Sequence, residues 1–213
     1  MTELVPQGEA DFFAVAADPA RCTAGFDDLL ATLAVPGPVA AELRTRYTEP
    51  RRGYHNAAHV GLLWLCHLGH GGARDDFSMA RAILFHDAIY DARAQDNEAK
   101  SAALLKALLP GDGWAEAAIR ATADHIGYAG GDARVERLLD LDLSPLAEDA
   151  PIFARNTDGL RHEYAHVPEF MWRIGRRAVL GRFLNAPTLF RTALAKTYEA
   201  RVRANLTQAL AES

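Results

Sequence analysis

The chain has 213 residues, of which 49% are hydrophobic and 24% charged, and its formal net charge is −5. These values are those of a globular protein with one core, so neither a disordered chain nor a set of several domains is expected. The negative charge argues against a broad surface for nucleic-acid polymers.

Helical periodicity dominates the chain, and no convincing alternation of apolar and polar residues predicts a strand. Helices are predicted at residues 11–17, 26–33, 36–47, 56–68, 77–90, 97–109, 112–126, 132–141, 151–165, 168–183 and 192–211. The pattern therefore predicts an all-α protein, a compact helical bundle that forms a single domain over residues 1–213. A core at about 48–147 contains the candidate site described below, and the C-terminal helices at 151–212 are expected to pack on it.

The cellular setting predicted by the sequence is the cytoplasm. Residues 1–9 lack the basic and apolar stretches of a secretory signal, and no apolar run reaches membrane-spanning length, so no membrane partner is expected. Cys22 and Cys66 form no Cys-x-x-Cys motif, which argues against a disulfide framework or a thiolate zinc site. A homodimer through an exposed face of the last helix is compatible with the sequence but not required by it.

Two histidines and two aspartates lie on or beside separate predicted helices. His86 and Asp87 come near the end of the apolar run at 77–90, His59 lies in the helix at 56–68, and Asp142 follows the helix at 132–141. A buried Asp87 would need a cation or a hydrogen-bond donor. Imidazole and carboxylate ligands together suit one divalent ion, namely Mn, Mg, Fe, Co, Ni or Zn. From spacing alone, a His-Asp pair satisfied in the core or at the surface is an equally open interpretation.

Other polar side chains near these motifs are candidates for substrate binding and proton transfer. Asp91 and Glu98 follow the His-Asp pair and are candidate general bases, although helix capping is an alternative for Glu98. The candidate substrate contacts are Arg51, Arg52, His55 and Lys100. A guanidinium binds phosphate through two parallel hydrogen bonds, but for any single cation here exposure to solvent is the alternative.

Several segments together resemble one known superfamily. They are the Tyr54-His55-Asn56 motif before His59, the run 85–91, the segment Asp96-Asn97-Glu98 with Ser101, Thr122 with His125, the run 139–143, Arg161 with Glu163 and Tyr164, and Glu199 with Asn205 and Leu206. In these motifs the chain resembles the HD-domain superfamily, and in particular its small bacterial proteins described as predicted metal-dependent phosphohydrolases. The resemblance extends from about residue 48 to residue 206.

The resemblance implies an HD-type helical bundle with metal ligands His59, His86, Asp87 and Asp142. Asp140 is the alternative to Asp142, which is preferred because the superfamily's aspartate usually precedes a leucine. His125, the only histidine between Asp87 and Asp142, is implied to face the site as a catalytic residue. The expected activity is hydrolysis of a small phosphorylated metabolite, such as a nucleotide, with one divalent metal ion. A two-iron oxygenase of the same superfamily and a non-catalytic module that binds nucleotide or metal are the alternatives.

Overall fold

A computed structural model describes residues 4–212; residues 1–3 of the N-terminal segment discussed above and residue 213 lie outside the described part. The described chain is helical, without a strand, which confirms the all-α prediction. Its α-helices are α1 (Glu9–Ala17), α2 (Pro19–Thr32), α3 (Gly37–Tyr47), α4 (Ala57–Gly69), α5 (Phe77–Phe85), α6 (Asn97–Leu108), α7 (Gly113–Ala121), α8 (Ala133–Leu143), α9 (Ala150–Glu163), α10 (Glu169–Leu184) and α11 (Ala195–Ala211). Short 3-10 helices at Thr122–Asp124 and Ser144–Ala147 follow α7 and α8.

Capping side chains define where several of these helices begin. Asp18 accepts hydrogen bonds from the backbone amides of Ala20 and Arg21, and Pro19 occupies the first helical position. This cap makes α2 begin well before residue 26, where the apolar pattern alone places its start. Asn56 caps α4 and Asp132 caps α8 in the same way.

Several helix ends differ from the sequence prediction, and two of these differences affect the predicted metal ligands. α5 ends at Phe85, so His86 and Asp87 lie in the turn that follows it rather than inside a helix reaching residue 90. α8 continues to Leu143, so Asp142 lies within the helix and not after it. Because Asp142 lies within the last turn of the helix, the geometry of α8 sets the direction of its side chain.

Helix α4 lies at the centre of the core and carries His59. It packs against α1, α2, α5 and α8, and most of its residues are buried. Its contact with α2 is unusually close, because a Cβ atom placed on Gly61 would lie 1.8 Å from the carbonyl oxygen of Cys22. Helix α2 lies before the predicted core at 48–147, yet it supports the central helix directly.

The C-terminal helices form a less buried layer. α11 packs against α10 and against the 3-10 helix Ser144–Ala147. Leu180 is the one buried residue of α10, whereas Phe170, Met171, Ile174 and Val179 are exposed. No helix within residues 4–212 combines the length and the apolar character needed to cross a membrane.

Candidate metal centre and its cavity

His59, His86 and Asp87 form a group that could hold a metal ion, with ligand atoms all within 4.8 Å of one another. His86 Nε2 lies 3.0 Å from Asp87 Oδ2 and 3.3 Å from His59 Nε2, and His59 Nε2 lies 3.8 Å from Asp87 Oδ2. Asp142 joins the group from α8, since its Oδ1 atom lies 3.1 Å from His59 Nε2 and 3.6 Å from His86 Nε2. The structure thus brings all four predicted ligands together.

These separations match the edges of a coordination shell. Ligand atoms about 2.1 Å from an ion lie roughly 3.0 Å apart at neighbouring octahedral positions and roughly 3.4 Å apart in a tetrahedron. The measured contacts of 3.0–3.8 Å span that range. His86 Nδ1 donates to the carbonyl of Ile83 at 2.9 Å, which leaves Nε2 as the atom that carries a lone pair in the neutral ring. His59 Nδ1 is buried and has no hydrogen-bond partner among the described residues. The donor set therefore fits a divalent ion.

The electrostatics of the cluster show that it favours positive charge. Burial opposes protonation of His86, but the carboxylates of Asp87 and Asp142 outweigh burial and hold its pKa well above its ordinary value. Burial alone would raise the pKa of both carboxylates, and the positive charge of His86 holds them low instead. Two buried carboxylates thus need a cation beside them, and a proton or a metal ion can supply it.

Arg52 fixes the backbone that carries the ligands. Its side chain is 1% exposed, and its guanidinium donates to the carbonyls of His55, Asp87 and Ala88 at 3.0, 2.6 and 3.0 Å. The predicted contact of Arg52 with substrate is therefore not what the structure shows, because the donors are directed at backbone oxygens inside the protein. Arg52 instead ties the loop before α4 to the turn after α5.

His125 is the catalytic candidate that the structure places beside the ligands. Its Nε2 atom lies 2.8 Å from Asp142 Oδ2, the oxygen that does not contact His59 and His86. Arg191 holds the turn in place, since its guanidinium donates to the carbonyls of His125, Ile126 and Tyr128. The imidazole can hold Asp142 in position and can also carry a proton at the border of the site.

Asp140, the alternative ligand, points away from the imidazoles. Its carboxylate accepts hydrogen bonds from the backbone amides of Arg191 and Thr192 and from the Thr192 hydroxyl, the last at 2.6 Å. Burial nevertheless keeps its pKa above the ordinary value. The structure therefore gives Asp142, not Asp140, the place beside His59 and His86.

His55 lies next to the cluster in a network with Glu163. The Glu163 carboxylate accepts the backbone amides of Tyr54 and His55 at 2.8 Å each, and it contacts His55 Nδ1 at 2.7 Å. Burial opposes protonation of His55, but Asp87 and Glu163 outweigh it and raise the pKa of the imidazole. The ring also stacks on Tyr90 at 4.1 Å. His55 is thus fixed at the wall of the site.

The remaining candidates are not brought to the cluster. Asp91 accepts a hydrogen bond from the backbone amide of Arg93 and, with Arg51, borders a separate cleft of about 400 Å³. Arg51 pairs with Glu49 at 2.7 Å, and Lys100 pairs with Asp96 at 2.8 Å on the surface. Glu98 lies in the first turn of α6, without a contact to the ligands. The chain turns away from the site after Tyr90, which explains why residues close in sequence to Asp87 end elsewhere.

A cavity of about 440 Å³ begins at Asp142. Its polar wall is made by Tyr54, His55, His125 and Asp142. The rest of its lining is mainly apolar and includes Leu143, Leu160, Val167, Trp172, Val179 and Phe183. The volume is that of a small-molecule site, and its polar groups converge on the predicted metal ligands.

Two polar residues that line the cavity were not predicted from the sequence as site residues. They are Arg176 and Tyr54, of which Tyr54 was noted only as part of a motif. The ring of Tyr54 lies 4.9 Å from that of His59, and burial holds the pKa of the phenol well above its ordinary value. Arg176 enters the cavity from α10. A detectable signal for Arg176 was its position in the otherwise apolar stripe of Trp172, Val179 and Phe183, which repeats at helical spacing.

Comparisons with protein-family models, curated proteins and solved structures found no match to this chain.

Proposed function

We propose that this protein is a metal-dependent phosphohydrolase that acts on a small phosphorylated metabolite. The observation that carries the proposal is that the Nε2 atoms of two imidazoles each lie 3.0–3.8 Å from oxygens of both Asp87 and Asp142, and that Asp142 also lines a cavity of about 440 Å³. A ligand set that borders such a cavity is typical of a catalytic site rather than a closed structural one. The HD-type sequence motifs give the same expectation.

The proposed ligands are His59, His86, Asp87 and Asp142. A divalent ion bound there supplies Lewis-acid polarisation of phosphate and a lower pKa for coordinated water. The chain supplies the rest of the site. Arg52 holds the backbone of Asp87, and His125 holds the outer oxygen of Asp142.

His125 is the proposed proton carrier. His125 lines the cavity, and the contact of its Nε2 atom with Asp142 Oδ2 orients the ring, so the imidazole can exchange a proton with a molecule bound in the cavity. General acid-base catalysis of this kind contributes typically about 10²–10⁴-fold to a rate.

The test is a turnover screen with metal-loaded protein against phosphate monoesters and nucleotides, with released phosphate or pyrophosphate as the measurement. We expect turnover that chelation abolishes and that Asp87→Ala lacks. Elemental analysis should find about one transition-metal ion per chain in the wild type, by the ligand count. Absence of turnover above that of Asp87→Ala would overturn the hydrolase and favour a binding module, and two irons per chain would favour an oxygenase.

A further inference from the structure

Arg176 lines both the cavity beside Asp142 and a second cavity of about 550 Å³, and its guanidinium carbon lies 6.0 Å from the centroid of the Phe153 ring in the second one. Nη2 donates to the hydroxyl of Thr157 at 3.2 Å, whereas Nε is buried and has no hydrogen-bond partner within residues 4–212. No carboxylate of the described chain pairs with it, although most other arginines here contact carboxylates or backbone carbonyls. The guanidinium thus keeps donors that Thr157 does not use, and a phosphoryl group that reaches them would accept their hydrogen bonds.

The charges around the cavity favour an anion there. Asp87 and Asp142 together balance the charge of one divalent ion, so an anionic substrate needs a further cation, and Arg176 is the arginine that lines this cavity. Arg176 also borders a second cavity of about 550 Å³, whose wall includes Asp158, Glu169 and Glu212. These acidic residues disfavour an anion on that side.

The surface beside Arg176 is apolar. Trp172 and Val179 lie on the same helix and line the same cavity, and Leu160 and Phe183 extend this wall. An aromatic or aliphatic group gains more from contact with such a surface than a hydroxyl-rich or charged group does. The cavity thus offers an apolar surface beside a cation.

We propose that Arg176 binds the phosphoryl group of the substrate and that the substrate is a phosphate monoester whose organic part is apolar or aromatic. This inference rests on the proposed function in calling the bound molecule a substrate. The argument for an anion-binding site depends only on the residues of the cavity. Arg176 acts as a binding and specificity residue and holds the anion through guanidinium hydrogen bonds, while the organic part lies against Trp172 and Val179.

The experiment measures binding of non-hydrolysable phosphonates to metal-loaded protein by calorimetry. Phenylphosphonate and methylphosphonate present the same anion with a large and a small apolar group. We expect phenylphosphonate to bind about tenfold more tightly or better, because its ring buries more apolar surface. We expect Arg176→Gln to weaken both ligands by about tenfold or more, since a hydrogen bond to a charged group is lost.

Arg173→Gln is the matched control, because Arg173 lies on the same helix and borders only the second cavity of the two. It should bind both phosphonates as the wild type does. Arg176→Lys, which keeps the charge but not the fork, should recover part of the affinity and serves if Arg176→Gln folds poorly. Equal affinities of the two phosphonates, or unchanged binding in both Arg176 variants, would overturn the inference.

The outcomes separate this inference from the proposed function. Phosphonate binding that depends on Arg176, without turnover of any phosphate ester, would leave the anion site standing and remove the hydrolase. Metal-dependent turnover, together with phosphonate binding that is unchanged in the Arg176 variants, would support the hydrolase and remove the anion site.

Discussion

The two sides of α8 place the same chemical group in opposite settings. Asp140 and Asp142 are two residues apart, about 200° around a helix, so they point to opposite faces. On one side, which we call the anchor side, Asp140 accepts hydrogen bonds from Arg191 and Thr192. On the other, the imidazole side, Asp142 contacts His59, His86 and His125.

The two sides differ in whether the hydrogen-bond donor of the carboxylate can be replaced by another partner. Backbone amides on the anchor side are fixed donors, so Asp140 can only hold the chain in place. Imidazoles on the imidazole side can lose a proton and bind a metal ion through the same nitrogen atoms. A buried carboxylate is therefore structural or functional according to its donors, and burial alone does not distinguish the two.

The sharpest way to break this comparison is a pair of isosteric substitutions. Asp142→Asn should lose bound metal, with affinity lower by more than about 100-fold, because even partners outside the ligand shell contribute about 10–100-fold. Asp140→Asn should keep the metal content of the wild type in the folded protein. Elemental analysis and competition with a chelating dye measure both.

The free energy of unfolding should change in the opposite order, with the larger loss in Asp140→Asn. Asp140→Asn leaves a buried donor without an acceptor and should lower the free energy of unfolding by about 1–3 kcal/mol. In a chain of this size each kcal/mol corresponds to roughly 2–4 °C in melting temperature. If Asp140→Asn instead lost its metal and kept its melting temperature, the roles assigned to the two sides would be wrong.

A second substitution tests how far the imidazole side extends. His125 contacts only the outer oxygen of Asp142, so His125→Ala should still bind metal at saturation but about 10–100-fold more weakly. Glu98→Ala is the control, because Glu98 lies away from the ligands and should bind metal like the wild type. Equal metal affinities of His125→Ala and the wild type would restrict the site to the four proposed ligands.

Glu148 is a third buried carboxyl and has neither kind of partner. Its Oε2 atom has no hydrogen-bond partner in the described chain, and burial raises its pKa from 4.5 to about 8. The folded protein therefore holds a proton there that the unfolded chain releases above pH 4.5. Its contribution to stability is full below that pH and is lost as pH rises through about 8.

Glu148→Gln should remove this part of the pH dependence. It mimics the protonated carboxyl, so the free energy of unfolding should lose a slope of up to roughly 1 kcal/mol per pH unit between pH 5 and 8. Denaturant unfolding at several pH values measures the slope. Asp75→Asn, a change at an exposed carboxylate that is not among the causes of the Glu148 shift, should leave it in place. The same slope in Glu148→Gln as in the wild type would contradict the prediction.

The sequence predicts the helices well because each has a local signal, whereas the site depends on contacts distant in sequence. The 200° separation on α8 shows that only one of Asp140 and Asp142 can face His59, but the choice depends on Arg191 and Thr192, about 50 residues later. From the sequence, Arg52 is a cation in a loop with no sign of burial. Its burial depends on the backbone carbonyls of Asp87 and Ala88, which are 35 and 36 residues away.

Residues just after the His-Asp pair failed as site residues for a similar reason. Proximity to Asp87 in sequence favours Asp91 and Glu98, but the end of α5 at Phe85 redirects the chain before either residue. No glycine or proline marks that end, and the apolar residues Ala88, Ile89 and Tyr90 follow the His-Asp pair. Arg176 interrupts an apolar stripe of α10, but it lies far in sequence from every motif, and only the fold shows that it lines the cavity.

The close contact at Gly61 links the metal centre to the opposite side of α4. A side chain at this position acts as a wedge between α2 and α4, and any displacement of α4 carries His59, two residues earlier, relative to His86. The ligand spacing can therefore be changed by volume alone, without altering a ligand or a charge. An ion held by the proposed ligands would resist the same displacement, so its affinity and the α2–α4 spacing would be reciprocally coupled.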